Sequence, residues 1–110
     1  MPNYIDWCDI LKQACQEKDI PKILSLFSED VIYFEDPISD ALYFSDIAKI
    51  WEDINDQQVI DLTYKILCQE NDKCIVYFIL TSNPSYDMIY EIILDDHNKC
   101  HYFKQWYMEV

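Results

Sequence analysis

Glycine is absent from this chain of 110 residues, and its absence restricts how the chain can turn. Tight hairpins usually place Gly where φ must be positive. Without it, those positions fall to Asn and Asp, which tolerate the left-handed region best among the other residues. Three polar separators fit that part: Asn71-Asp72, Asn83-Pro84-Ser85 and His97-Asn98.

Positive charge is scarce as well. Eight Lys and Arg stand against 21 Asp and Glu, a formal net charge of -13, and no basic block interrupts the acids. Phosphate binding runs on clustered cations, so neither nucleic acid nor an anionic membrane is an expected partner. A neutral or cationic small molecule suits this field better. No apolar run reaches the ~18 residues of a membrane span, and no basic segment followed by an apolar stretch opens the chain. The cysteines (Cys8, Cys15, Cys68, Cys74, Cys100) are odd in number and contain no C-x-x-C pair. That pattern predicts a reduced, cytoplasmic protein without a signal peptide, disulfide framework or zinc knuckle, its thiols filling the core. His97 and His101 stand four apart, but one falls in an expected turn and the other on an expected strand, so they share no helix face; no acid or thiol stands at metal-ligand spacing, and no metal or other cofactor is expected. Asp53 to Asp56 and Asp95-Asp96 read as solvated turn acids rather than calcium loops.

What the chain does have is apolar bulk. Hydrophobic residues make up 51% and aromatics 15%, far from the composition of disordered chains. The length fits a single domain over residues 1–110 with a real core.

Asn3 is a candidate N-cap, and Tyr4, Trp7, Cys8, Leu11, Ala14 and Cys15 then fall on one helical stripe ending near Lys18. Asp19 can cap a second, shorter helix with Pro21 in its first turn, burying Ile20, Ile23, Leu24 and Phe27. Val31 to Glu35 is strand-like, and Asp36-Pro37 ends it because Pro has no N–H for a ladder. A third helix starts near Ser45, with Ile47, Ile50, Trp51 and Ile54 on one face, and closes at Asn55-Asp56. From Val59 the period becomes 2: Ile60, Leu62, Tyr64, Ile66 and Cys68 alternate with polar residues. Cys74–Thr81, Asp87–Leu94 and Cys100–Glu109 follow as strands, and their short separators imply antiparallel hairpins. The order is helix, helix, strand, helix, then four strands in meander, an α+β domain with helices on one side of a curved antiparallel sheet.

That order, with "DIPKILSLFSEDVIYFEDP" at 19–37 and "YDMIYEIILDDHNKCHYFKQWYMEV" at 86–110, resembles the nuclear transport factor 2-like superfamily, in particular its SnoaL-like and ketosteroid isomerase-like branch. The resemblance implies a cone, in which the bent sheet wraps around the long helix and leaves an apolar pocket open at one end. It also implies a homodimer through the outer sheet face. In the isomerase branch the Asp of the E-D-P segment is the general base that moves a proton between carbons of a ketone, and Asp36 matches it. The oxyanion partners in that branch are a helix Tyr, whose place is taken here by Leu11, and a strand acid, whose place is taken by Tyr90, which as a phenol can still donate one hydrogen bond to a developing oxyanion.

Alternation turns Met88, Tyr90, Phe103, Gln105 and Tyr107 to one face, which the resemblance implies is the pocket face. Phe34, Trp51 and Phe78 complete the expected wall, so that Phe34, Trp51 and Tyr90 desolvate Asp36 and raise its pKa. Glu35, on the alternate side, is expected to point away. Three readings of Asp36 stay open: a base, a polar anchor for a hydrophobic ligand, or a residue that only stops a strand. A rival reading of the whole chain is a non-catalytic interaction or assembly domain whose cone is filled by Trp51, Phe78, Phe103 and Tyr107.

Overall fold

A computed structural model describes residues 2–56, 58, 61–70, 72–82 and 85–109. Helix α1 (Tyr4–Glu17) begins where the Asn3 side chain accepts from the Asp6 amide at 3.0 Å, and its stripe of Tyr4, Trp7, Cys8, Leu11, Ala14 and Cys15 is buried. The short helix α2 (Ile20–Leu24) is capped in the same way, Asp19 accepting from the Lys22 amide at 3.1 Å. Strand β1 spans Phe27–Phe34, and α3 (Phe44–Trp51) runs into a 3-10 helix at Glu52–Asp56. Four strands follow: β2 (Asp61–Gln69), β3 (Cys74–Thr81), β4 (Tyr86–Leu94) and β5 (Cys100–Glu109). Val59 and Ile60, expected to open β2, lie outside the described residues, as do Asn71, Asn83 and Pro84 of the expected turns.

The five strands form one curved sheet in the order β1-β5-β4-β3-β2. The last four are an antiparallel meander, as the alternation implied, while β1 joins β5 in parallel, which no local pattern announces. The α+β architecture expected from the sequence is the one observed. No helix among the described residues is long and apolar enough to cross a membrane.

Two local expectations need correction. Phe27 is the first residue of β1, paired with Cys100, and not the last turn of α2. The spacing 20, 23, 24, 27 suits a helix, but the chain leaves α2 at Ser25, and either conformation buries Phe27. Cys68 is exposed while the other four thiols are buried. A register shift between Ile66 and Cys68 interrupts the alternation of β2 and turns this side chain out of the core. Burial raises the thiol pKa of all four buried cysteines above the usual value, to about 12 at Cys15 and about 11 at Cys74.

The centre of the core is aromatic. Phe27 meets Trp7, Tyr33 and Phe103 edge-on at 5.9, 5.8 and 5.7 Å, and Tyr33 stacks on Phe103 at 4.5 Å with planes 10° apart. The Trp7 indole donates to the Leu26 carbonyl at 2.9 Å, pinning α1 to the point where β1 begins.

Among the described residues, with no glycine to take them, two positions have positive φ: Asn98 at 60°, in a turn where it was expected, and Lys18 at 55°, which closes α1. The Lys18 amide reaches the carbonyls of Ala14 and Cys15, so this is a left-handed helix cap occupied by a residue with a Cβ. The left-handed region costs a non-Gly residue roughly 1–2 kcal/mol, part of which Gly returns as chain entropy. Lys18→Gly is therefore expected to raise stability by about 0.5–1 kcal/mol, read as a higher urea midpoint. A lower midpoint would mean that the exposed bond from Lys18 Nζ to the Asn55 carbonyl, 3.3 Å long, outweighs the backbone gain.

Candidate active site

Register alone arranges the inner sheet face in rows. The deepest row joins Cys74, Ile92, Phe103 and Tyr33 across β3, β4, β5 and β1. The next joins Ile66, Val76, Tyr90 and Gln105, and β1 extends it to Glu35, whose carbonyl accepts from Gln105 Nε2 at 3.3 Å. The third joins Tyr64, Phe78, Met88 and Tyr107. Because α1 covers one end of this face and α3 with its 3-10 extension stands beside the other, the rows do not close. A cavity of about 270 Å³ remains between them.

Of the residues expected at the site, Trp51, Phe78, Met88, Tyr90, Gln105 and Tyr107 line this cavity. Three others are placed elsewhere. Phe103 is fully buried behind the lining, in the stack with Tyr33. Phe34 sits on the opposite face of the sheet, 6.0 Å from Tyr102 and 5.4 Å from the Lys104 ammonium. Asp36 is absent from the lining and is bound up in its own turn. Its carboxylate accepts from the Ile38 amide at 3.0 Å and the Ser39 hydroxyl at 2.7 Å.

Those bonds reverse the expected electrostatics of Asp36. The Ser39 hydroxyl first, and then the Ile38 amide, hold its pKa below the ordinary 3.8 instead of letting burial raise it. The bonded carboxylate favours the turn at pH above that ordinary value, and the contribution fades as pH falls through the lowered pKa.

The acidic residue that does line the cavity beside β1 is Glu35, one position past the strand's end. Period-2 alternation explains the exchange. Val31 and Tyr33 are buried and Ile32 is not, so Glu35 inherits the inner side and Phe34 and Asp36 the outer. The signal was present in the sequence, since Val31-Tyr33-Glu35 is as good an alternating set as Phe34-Asp36. Leu11 and Cys15 from α1, Tyr33 from β1 and Asp53 from the 3-10 helix also line the cavity. Leu11 provides apolar wall where the resemblance implied a phenol in its relatives, and a phenol enters from β1 as Tyr33.

Tyr33 and Tyr90 are 1% and 3% exposed. Desolvation by burial is the main cause that raises both phenol pKa values, Tyr90 well above 10.0. Each therefore stays protonated at neutral pH and keeps an O–H to donate. The Tyr90 hydroxyl has just the Met88 thioether, at 3.4 Å, and sulfur is a weak acceptor. Trp51 Nε1 is buried without a partner among the described residues; it lies near enough to Tyr33 to pull that phenol's pKa back, short of a hydrogen bond. Among the described residues no cluster of His, Cys, Asp and Glu could hold a metal ion.

Comparison with solved structures identifies the architecture. An NTF-2 like protein of unknown function from Burkholderia xenovorans superposes with a TM-score of 0.76 at 11% identity, covering 96% of this chain and 82% of that one. The chain has the nuclear transport factor 2-like fold. A steroid delta-isomerase from Pseudomonas aeruginosa shares it at a TM-score of 0.72 and 12% identity, covering 94% and 78% of the two chains. So does a candidate polyketide cyclase from Pseudomonas putida, at 0.71 and 14%, covering 93% and 89%. No family model and no curated protein matches the sequence. At these identities the nuclear transport factor 2-like neighbours establish the fold, and chemistry has to be argued from the cavity itself.

Proposed function

We propose that the cavity binds a small amphipathic molecule and that Glu35 moves a proton on it, an isomerase- or cyclase-type reaction. The observation that carries this reading is the row in which Gln105 of β5 faces Tyr90 of β4 and donates to the carbonyl of Glu35, just past the end of β1. Adjacent strands lie about 4.8 Å apart, so a base and a phenol donor two strands distant flank a gap of about 10 Å, enough for a ring. In the step envisaged, the Glu35 carboxylate takes a proton from the carbon beside a carbonyl. The Tyr90 hydroxyl turns from a thioether to the developing enolate oxygen, and the proton returns at another carbon, restoring the carboxylate. Gln105, bonded to the Glu35 carbonyl, positions the base. Names borne by neighbours of the same fold, steroid delta-isomerase and candidate polyketide cyclase, agree with enolate chemistry.

The test uses a small bicyclic ketone, 2-tetralone, in deuterated buffer, with NMR following exchange of its α-protons. Exchange accelerated by the protein supports the reading; exchange no faster than in buffer alone, at ketone concentrations shown to bind, would overturn it.

The outer face of the same sheet favours a second role, self-association. Tyr77, Ile89 and Trp106 are cross-strand neighbours on β3, β4 and β5, and Ile89 and Trp106 are 39% and 38% exposed. This is an apolar stripe on a chain whose like charges otherwise repel a second copy. A homodimer through this face is expected to sediment at twice the monomer mass and to dissociate on Trp106→Lys. A monomeric wild type at about 0.1 mM would rule it out.

A further inference from the structure

The cavity is lopsided in charge. Asp53 and Glu35 stand among its lining residues, and none of the eight basic residues of the chain does. Lys18 reaches the neighbouring 3-10 helix but donates to the Asn55 carbonyl at 3.3 Å instead of facing the cavity. Around the mouth stand Tyr86 and Tyr107, edge to face at 6.1 Å and 74°, with Trp51 as a third aromatic of the lining. Faces of such rings attract cations. Deeper in, Tyr33 and Tyr90 are residues more than nine-tenths buried, and among the described residues their hydroxyls have no acceptor better than the Met88 sulfur. Sulfur is a weak acceptor, so both hydroxyls have capacity left for an oxygen acceptor that arrives with a ligand.

Resting on the reading of the cavity as a binding site, we infer that its ligand is an organic cation: an ammonium seated at the aromatic mouth opposite Asp53, an apolar body, and an oxygen acceptor at the buried end. Glu35 stays free of the ammonium in this arrangement, as a base must, since pairing with a cation would weaken it. An anionic ligand is rejected, because nothing lining the cavity compensates its charge and the field of the whole chain opposes it.

Three probes of one shape separate the terms: 1-naphthylmethylamine, 1-naphthylmethanol and 1-naphthoate, titrated calorimetrically into the whole chain at about 0.05 M salt. The amine is expected to bind about tenfold tighter than the alcohol, the sum of a cation–π contact and one solvent-exposed ion pair. The naphthoate should bind weakest. Raising salt to about 0.5 M should shrink the advantage of the amine and leave the alcohol unchanged. Asp53→Asn, a change at an exposed side chain, should remove most of that advantage while alcohol binding persists. Equal affinities for amine and alcohol would overturn the cation, and an advantage untouched by Asp53→Asn would overturn its seat opposite Asp53; either result leaves the binding site standing. Failure of all three probes to bind would overturn the site as well.

Discussion

Glu35→Gln is expected to slow α-proton exchange of 2-tetralone by about 10²- to 10⁴-fold, the usual range for loss of a general base, while Asp36→Asn leaves the rate within about twofold. The amide keeps the size of the carboxylate and loses only its basicity. Glu35 is exposed, so the change should not disturb folding, and an unaltered urea midpoint would confirm that. The contrast between neighbours is the informative part. Asp36 is engaged by Ser39 and Ile38 and has a lowered pKa, which makes it a weaker base as well as a misplaced one. A rate that collapses with Asp36→Asn and survives Glu35→Gln would reverse the assignment of β1's two faces at its end.

Phe103→Ala should cost about 3–5 kcal/mol, the range for deleting a buried aromatic ring. Phe103 is fully buried, stacks on Tyr33 at 4.5 Å, and touches Tyr90 and Phe27 with centroids 4.7 and 5.7 Å away. Such ring pairs add about 0.5–1.5 kcal/mol each beyond area burial, and the wall behind the cavity would collapse with them. A loss of this size is a large fraction of the stability of an ordinary domain. Phe103→Leu, which keeps most of the volume, should therefore stay folded and lose about 1–2 kcal/mol. Urea unfolding monitored by far-UV circular dichroism checks both. A loss below about 1 kcal/mol for the alanine variant would mean that the ring is a detachable part of the cavity wall, as the sequence alone suggested.

Much of this arrangement was legible in the sequence because it rests on period. The stripe of α1, the caps at Asn3 and Asp19, the inner sides of β3, β4 and β5, and the meander all follow from local spacing and turn chemistry. Tyr90, Gln105 and Tyr107 share a face because they sit two apart or in register on neighbouring strands. What failed was phase. In β1 the apolar run from Val31 to Phe34 fits either side, and choosing Phe34 and Asp36 as the inner pair, guided by resemblance, placed Glu35 outside. Burial of Val31 and Tyr33 settles the phase the other way. Phe27 and Cys68 failed for a related reason: a helix end and a bulge each shift the pattern by a residue, and no periodicity survives such a shift. Asp53 was read as a solvated turn acid, and it is exposed; only the packing of the 3-10 helix against the sheet sets it at a cavity mouth.

The parallel pairing of β1 with β5 also bears on the order in which the protein can be made. β2 to β5 each find a partner in the next strand along, by hairpin, whereas β1 has only β5 to pair with among the strands. During synthesis β1 is exposed first and must wait, its edge bare, until the last strand has left the ribosome. Its Phe27, Val31 and Tyr33, later the middle of the core, are meanwhile sheltered by the helices and by the bridge from Tyr33 to Leu42. Closure of this sheet is therefore a late, long-range event, and the interval before it is when the nascent chain is most open to association with its neighbours.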